Sequence, residues 1–280
     1  MKLLVTGAAG MLGQRVVEKA AARGWEPIAI DLPDADLTDA QQALDVITGH
    51  RPDAIVHCAA YTNVDEAESH EDVAMRVNRD ASAHVAAAAT ACGARVVAVS
   101  TDYVFDGTLT GRGYLESDPT SPLGAYGRTK YAGELAVTQG CDNHAIARTA
   151  WLYGAGGKNF CDTMLGLAAE RDSVSVVTDQ VGSPTWTGHL VPALLDLAES
   201  ESTGVFHTAG GGQCSWHGLT AELFKQAEVD CKVEETTSTA FVRPAPRPAW
   251  SVLDSERDGP RLPSWQLGVL GFLAERKVAA

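Results

Sequence analysis

Directly after an apolar run, Leu3–Val5, the chain reads Gly7-Ala8-Ala9-Gly10-Met11-Leu12-Gly13. A GxxGxxG turn placed between a strand and a helix leaves few folds open. The first glycine permits the tight turn, the second lets a phosphate approach the backbone, and the third lets the helix pack close to the strand. The helix start then offers unpaired N–H groups and the positive end of its dipole to a diphosphate. Glycine is 27 of 280 residues, so a triplet alone is weak evidence; its position behind Lys2-Leu3-Leu4-Val5-Thr6 makes it specific. Gly7, Gly10, Met11, Leu12 and Gly13 are thus expected around the pyrophosphate of a dinucleotide. Asp31 closes the second apolar run, 18 residues after Gly13, where a carboxylate can accept both ribose hydroxyls of an adenosine. It would repel a 2′-phosphate, so NADH is expected slightly ahead of NADPH, with Asp36 and Leu37 toward the adenine. The competing reading makes Asp31 a turn acid before Pro33.

Strand-length apolar runs alternate with helical segments through the first half. Leu3–Val5, Pro27–Ile30, Ala54–His57, Arg95–Ser100 and Ala145–Ala147 read as strands. Met11–Arg23, Asp39–Gly49, Asp72–Cys92 and Leu123–Val137 read as helices. This alternation predicts an α/β fold with a Rossmann-type, doubly wound parallel sheet. Past Trp151, Gly-rich turns and prolines break the rhythm, although Phe160–Arg171, Leu190–Glu199 and Leu219–Glu228 keep helical character. Residues 1–150 are read as the dinucleotide-binding domain and 151–280 as a smaller mixed substrate-binding region, with an approximate boundary that the chain can cross.

Acids exceed bases by 36 to 22, giving a net charge of −14. Residues 1–150 carry 20 acids and 12 bases, and the remainder 16 and 10. An evenly acidic surface repels phosphate backbones and anionic lipid, so neither nucleic acid nor membrane is an expected partner. The six cysteines include no Cys-x-x-Cys pair, which argues against a zinc site or disulfide framework and for a reducing cytoplasm. The N-terminal apolar run is too short for a signal peptide, and no 18-residue apolar stretch follows. The histidines carry no metal-ligand spacing, and Trp216 is read as an anchor that does not touch ligand.

Tyr126 and Lys130 lie four apart on one predicted helix face. Such a pair arises easily by chance, but this one follows a strand that ends in Ser100-Thr101-Asp102. A hydroxyl at a strand's carboxyl edge facing a Tyr–Lys helix is a carbonyl-reducing arrangement. Thr101 would hydrogen-bond the carbonyl and Tyr126 would give it a proton, with Lys130 and the nicotinamide drawing the phenol's pKa toward neutrality.

With these residues in place the sequence resembles the extended short-chain dehydrogenase/reductases, and within them the dTDP-4-dehydrorhamnose reductases. The likeness runs through Gly7–Gly13, Cys58–Glu68, Val77-Asn78, Ser100–Gly107, Tyr126–Lys130, Asn159-Phe160, Asp179–Thr185, Gly204–His207, Ser215-Trp216 and Arg247–Asp254. STDYVFDG, DQVGSPT and RPAWSVLD are its specific strings. It implies reduction of a dTDP-4-keto-6-deoxy-L-hexose at carbon 4 by NAD(P)H, for L-rhamnose and cell-surface polysaccharide. It assigns Thr101, Tyr126 and Lys130 to catalysis, and Ala59, Ala60, Tyr61 and Asn78 to the cofactor. Thr62, Val64, Tyr103, Phe105, Trp151 and Arg247 are implied around the sugar nucleotide, Arg247 at its diphosphate unless it pairs with Asp254 or another acid. A homodimer is implied as well. Some relatives bind Mg²⁺ at the dimer contact through a Glu two residues beyond the third loop glycine; here that residue is Arg15, and no metal ligand is assigned. The alternatives are a reductase of another dTDP-4-keto-6-deoxysugar, a nucleotide-sugar epimerase or dehydratase, and a non-catalytic regulatory subunit of the methionine adenosyltransferase type. The intact Thr–Tyr–Lys set argues against the last, and the absence of an Asp-Glu pair after Thr101 argues against a dehydratase.

Overall fold

The computed structural model describes residues 1–279. The N-terminal apolar run forms β1 (Lys2–Thr6), and the glycine turn passes the chain to α1 (Met11–Ala22). The alternation continues through β2 (Glu26–Ile30), α2 (Ala40–His50), β3 (Ala54–His57), α3 (Val64–Ala67), α4 (Glu71–Met75), α5 (Ala81–Cys92), β4 (Arg95–Thr101), α6 (Ala125–Gly140) and β5 (His144–Thr149). The segment Asp72–Cys92, expected as one helix, is interrupted. A π-helical stretch, Arg76–Asp80, separates α4 from α5. Such wide turns gather at functional sites, and this one carries Asn78, only 1% exposed.

Beyond Trp151 come β6 (Leu152–Tyr153), α7 (Phe160–Ala168), β7 (Ser173–Val177), β8 (Val181–Gly182), β9 (Thr185–Trp186), α8 (Thr187–Glu199) and β10 (Gly204–His207). They are followed by β11 (Cys214–Ser215), α9 (Trp216–Ala227), β12 (Lys232–Thr236) and α10 (Trp265–Ala279). The main sheet has the order β10-β5-β4-β3-β1-β2, and every neighbouring pair is parallel. From β2 at one edge the chain crosses back over β1 to β3 and then moves to the other edge. The strand order therefore reverses between β1 and β3, and the crevice outside their carboxyl ends is where an open α/β sheet binds its ligand.

Both faces of the sheet are covered. Leu3, Val5, Val56 and Val97 pack with α1 and with Leu190 and Leu194 of α8, whereas Leu4, Ile55, Val96 and Ile146 face α2 and α5. That double burial explains strands that are apolar throughout rather than alternating. The stretch past residue 150 divides: α8 and β10 complete the sheet, while Tyr153, Leu219, Leu223 and Phe272 gather α7, α9, α10 and the β7–β12 pair around a separate core.

Candidate active site

The glycine turn is shaped by close approach. Gly7 has φ +64°, and a Cβ there would lie 2.7 Å from the Ala59 nitrogen. A Cβ on Gly13 would overlap the Gly7 carbonyl oxygen, so only hydrogen at this position lets α1 sit against the turn. No side chain caps α1 at Gly10, which leaves its first N–H groups for an anion. Asp31 stands beside them: its carboxylate accepts the Ala9 N–H at 2.7 Å and the Leu32 N–H at 2.8 Å.

The turn opens into a cleft of about 870 Å³. Of the expected cofactor set, Gly7, Gly10, Met11, Leu12, Gly13 and Asp31 line it, together with Asp36, Leu37, Ala59 and Ala60. Tyr61 and Asn78 stand behind this wall. Asn78 accepts the Tyr61 N–H at 2.8 Å and donates to the Tyr61 carbonyl at 3.2 Å and to Thr129 Oγ1 at 3.0 Å, so the π turn clamps the loop after β3 to α6. On the same side, burial pushes His57 down to about 3, and the ring bridges Thr6 and Ser82 as a neutral imidazole.

Thr101, Tyr126 and Lys130 meet on the floor of this cleft. Thr101 ends β4 and accepts the Tyr103 N–H at 3.2 Å. Tyr126 and Lys130 come from the first turns of α6, and the Tyr126 ring meets Tyr103 edge-on at 5.7 Å. Burial pushes the Tyr126 phenol up to about 12, opposed by a hydrogen bond with Thr101 and reinforced by the charge of Asp102. The expected draw toward neutrality is thus not what the chain alone produces. Lys130 is itself buried, which lowers it to about 8, and its amine donates to the Val99 carbonyl at 2.7 Å. The nearby Glu134 carboxylate supports the ammonium, and Glu134 is held in turn by Arg148 at 2.7 Å.

On the substrate side Thr62, Val64, Tyr103 and Trp151 line the cleft. Phe105 does not. Its ring is 0% exposed, stacked on Tyr114 at 4.1 Å with Arg148 above it, so this side chain belongs to the core under the 3₁₀ turn that follows Thr101. Arg247 also lies off the cleft wall. Both of its terminal nitrogens bind Asp65, at 3.0 and 3.1 Å, joining the RPAWSVLD segment to α3; the pairing partner is Asp65 rather than Asp254. A double-mutant cycle on Arg247→Ala and Asp65→Ala in thermal unfolding should show a coupling of about 0.5–3 kcal/mol. Additive losses would mean that the pair ties nothing.

Several lining residues escaped the sequence reading. Trp216, read as an anchor away from ligand, borders the cleft and stacks on Trp151 at 3.5 Å with planes 2° apart. Trp151 holds φ +47°, a strained conformation for a bulky residue and one of the kind found at ligand sites. Lys158, behind the Gly-rich turn of residues 154–157, brings a cation to the cleft, and Asp102 brings a buried carboxyl. The Gly154–Gly157 run was the available signal for Lys158; nothing in the sequence marked Asp102 as buried.

A magnesium site does not fit. Arg15 pairs with Glu275 of α10, and no cluster of three or more His, Cys, Asp or Glu side chains able to hold a metal occurs among the described residues. A dinucleotide does fit: the turn has the uncapped helix start, the close-packed glycines and a carboxylate at its rim.

Residues 1–277 match the RmlD substrate binding domain family. The chain is 45% identical to a dTDP-4-dehydrorhamnose reductase of Streptomyces griseus over 91% of this chain and 86% of the relative. It is 42% identical to a dTDP-4-keto-6-deoxy-D-glucose reductase of Streptomyces niveus over 89% and 87%. Its fold is similar to that of dTDP-4-dehydrorhamnose reductase from Bacillus anthracis in complex with NADP, with a TM-score of 0.95 and 36% identity over 98% of this chain and all of that one.

Proposed function

Because this chain belongs to the RmlD substrate binding domain family, we propose that it reduces the 4-keto group of dTDP-4-dehydro-L-rhamnose to give dTDP-L-rhamnose for cell-surface polysaccharide. It is an NAD(P)H-dependent oxidoreductase acting on a nucleotide sugar. The observation that carries this reading is the meeting of Thr101, Tyr126 and Lys130 in the cleft that the glycine turn opens into.

The reduced nicotinamide, when bound, supplies the hydride to carbon 4. The chain's residues do the rest. Thr101 and Tyr126 flank the place of the carbonyl oxygen and donate hydrogen bonds to it. Tyr126 releases its proton to the oxygen as negative charge develops there, and its upward-shifted pKa keeps that proton in place until then. Lys130, protonated below about 8, stabilises the tyrosinate left behind. Thr62, Val64, Tyr103 and the Trp151–Trp216 stack wall the sugar nucleotide, and the pairing of Arg247 with Asp65 supports that wall instead of gripping phosphate.

The cofactor preference is assigned to Asp31. Its carboxylate at the rim repels a 2′-phosphate, which tilts the choice toward NADH. Asp31→Ala should raise the NADPH-to-NADH ratio of kcat/KM. An unchanged ratio would place Asp31 as a brace for the turn alone, through its bond to Ala9.

A second substrate, dTDP-4-keto-6-deoxy-D-glucose, is favoured by the likeness to the Streptomyces niveus reductase. Comparing kcat/KM for the two ketosugars decides between them, and the L-configured sugar is expected to win. A cytoplasmic location rests on six free cysteines, suited to a reducing compartment. No helix among the described residues is long and apolar enough to cross a membrane. The assembly proposed is a homodimer, which light scattering in solution reads directly.

A further inference from the structure

Asp102 is 2% exposed, although it borders the cleft between Thr101 and Tyr103. Its Oδ1 accepts the Thr101 hydroxyl at 3.1 Å, and its Oδ2 is buried without a hydrogen-bond partner. A carboxylate can only accept, so an ionised Asp102 commits the single proton of Thr101 to itself. Thr101 Oγ1 meanwhile accepts the Tyr103 N–H, and nothing remains of that hydroxyl to donate to a substrate carbonyl. A neutral carboxyl reverses the bond. Its O–H donates to Thr101 Oγ1, and the hydroxyl proton of Thr101 turns toward the cleft.

We propose that Asp102 is a positioning residue that holds a proton against Thr101 and so aims the Thr101 hydroxyl at the substrate carbonyl. The inference rests on the carbonyl-reducing reading of the site. Burial pushes Asp102 up to about 7, so both arrangements are populated near neutrality. The groups facing it are few. Ser251 steadies the charge from the RPAWSVLD segment without reaching Oδ2 in hydrogen-bonding geometry. Tyr126 faces it from α6, and Tyr103 lies between it and the Arg247–Asp65 pair. Lys130, also on α6, titrates about one unit higher, near 8. An ionised Asp102 also opposes loss of the Tyr126 proton, so the neutral form favours reduction twice over.

In the wild type, kcat for reduction should fall several-fold as pH rises through about 7. Asp102→Asn, whose amide can donate where the neutral carboxyl does, should lose that step whatever its absolute rate and keep only the limb of Lys130. In a Thr101→Val background the Asp102→Asn change should leave the shape of the profile unaltered. A step near 7 that persists in Asp102→Asn, or a change of shape that survives without the Thr101 hydroxyl, overturns the proposal. Thermal unfolding tests the proton without turnover. The folded wild type keeps its proton to about 7 whereas an ordinary Asp loses it near 3.8, so wild-type stability declines across that window. The melting temperature of Asp102→Asn minus that of the wild type should therefore grow from about pH 4 to about pH 7 and then level off. A constant difference means that Asp102 is ionised throughout and sinks the idea. A wild type that reduces no 4-keto nucleotide sugar would sink the functional reading instead, and the melting comparison would still decide the state of Asp102.

Discussion

Tyr126→Phe should lower the turnover of ketone reduction by about 10²–10⁴-fold, the usual contribution of a general acid. Affinity for the nicotinamide cofactor should stay close to that of the wild type. The phenol has one task in this site: it stands beside Thr101 on the cleft floor and delivers a proton, while the diphosphate is held by a turn more than a hundred residues away in sequence. Phenylalanine keeps the edge-on packing against Tyr103 and removes only the hydroxyl. Stopped-flow single turnovers, with cofactor affinity measured by fluorescence quenching, separate the two quantities. Normal turnover by the variant would remove Tyr126 from the chemistry.

Gly13→Ala should have the next largest effect, at the opposite end of the cleft. The added methyl would overlap the Gly7 carbonyl oxygen, and that oxygen belongs to backbone already fixed by the Gly10 N–H at 3.0 Å. No flexible side chain can yield, so α1 must move away from the turn. Overpacking of this kind costs about 1–3 kcal/mol in stability. The larger loss falls on the cofactor, because the displaced N–H groups no longer converge on one anion. Calorimetry with NADH and NADPH should show both weakened at least ~10-fold, which corresponds to about 1.4 kcal/mol. Gly166→Ala, where a Cβ would meet nothing within 4 Å, is the control expected to bind normally. Equal affinities in the Gly13 and Gly166 variants would contradict the cradle.

What was legible in the sequence follows from how each feature is encoded. β1, β3 and β5 are apolar on both faces because α1 and α8 cover one side and α2 and α5 the other, and continuous burial leaves a continuous apolar run. The glycine turn is legible because steric exclusion admits only one residue type. The features that were not legible depend on contacts between distant segments. β7 and β12 pair across some sixty intervening residues, and neither run is apolar enough to announce itself. The π turn at Arg76–Asp80 sits inside a stretch of good helix formers and is specified by where Asn78 must reach. Phe105 and Trp216 exchanged roles for the same reason: an aromatic residue beside a motif can turn inward or toward ligand, and only the packing of Tyr114 and Trp151 decides which. Arg247 was correctly seen as a cation in need of an anion, but the sequence could not say that Asp65, on a different element, supplies it.

The most direct test of the central claim uses purified protein, dTDP-4-dehydro-L-rhamnose and cofactor carrying deuterium at the transferable position. The expected result is loss of reduced-cofactor absorbance and a dTDP-L-rhamnose product with one deuterium, located at carbon 4 by NMR. A product unlabelled at carbon 4, or no cofactor oxidation with this sugar by a protein that binds both dTDP and the nicotinamide, would contradict it.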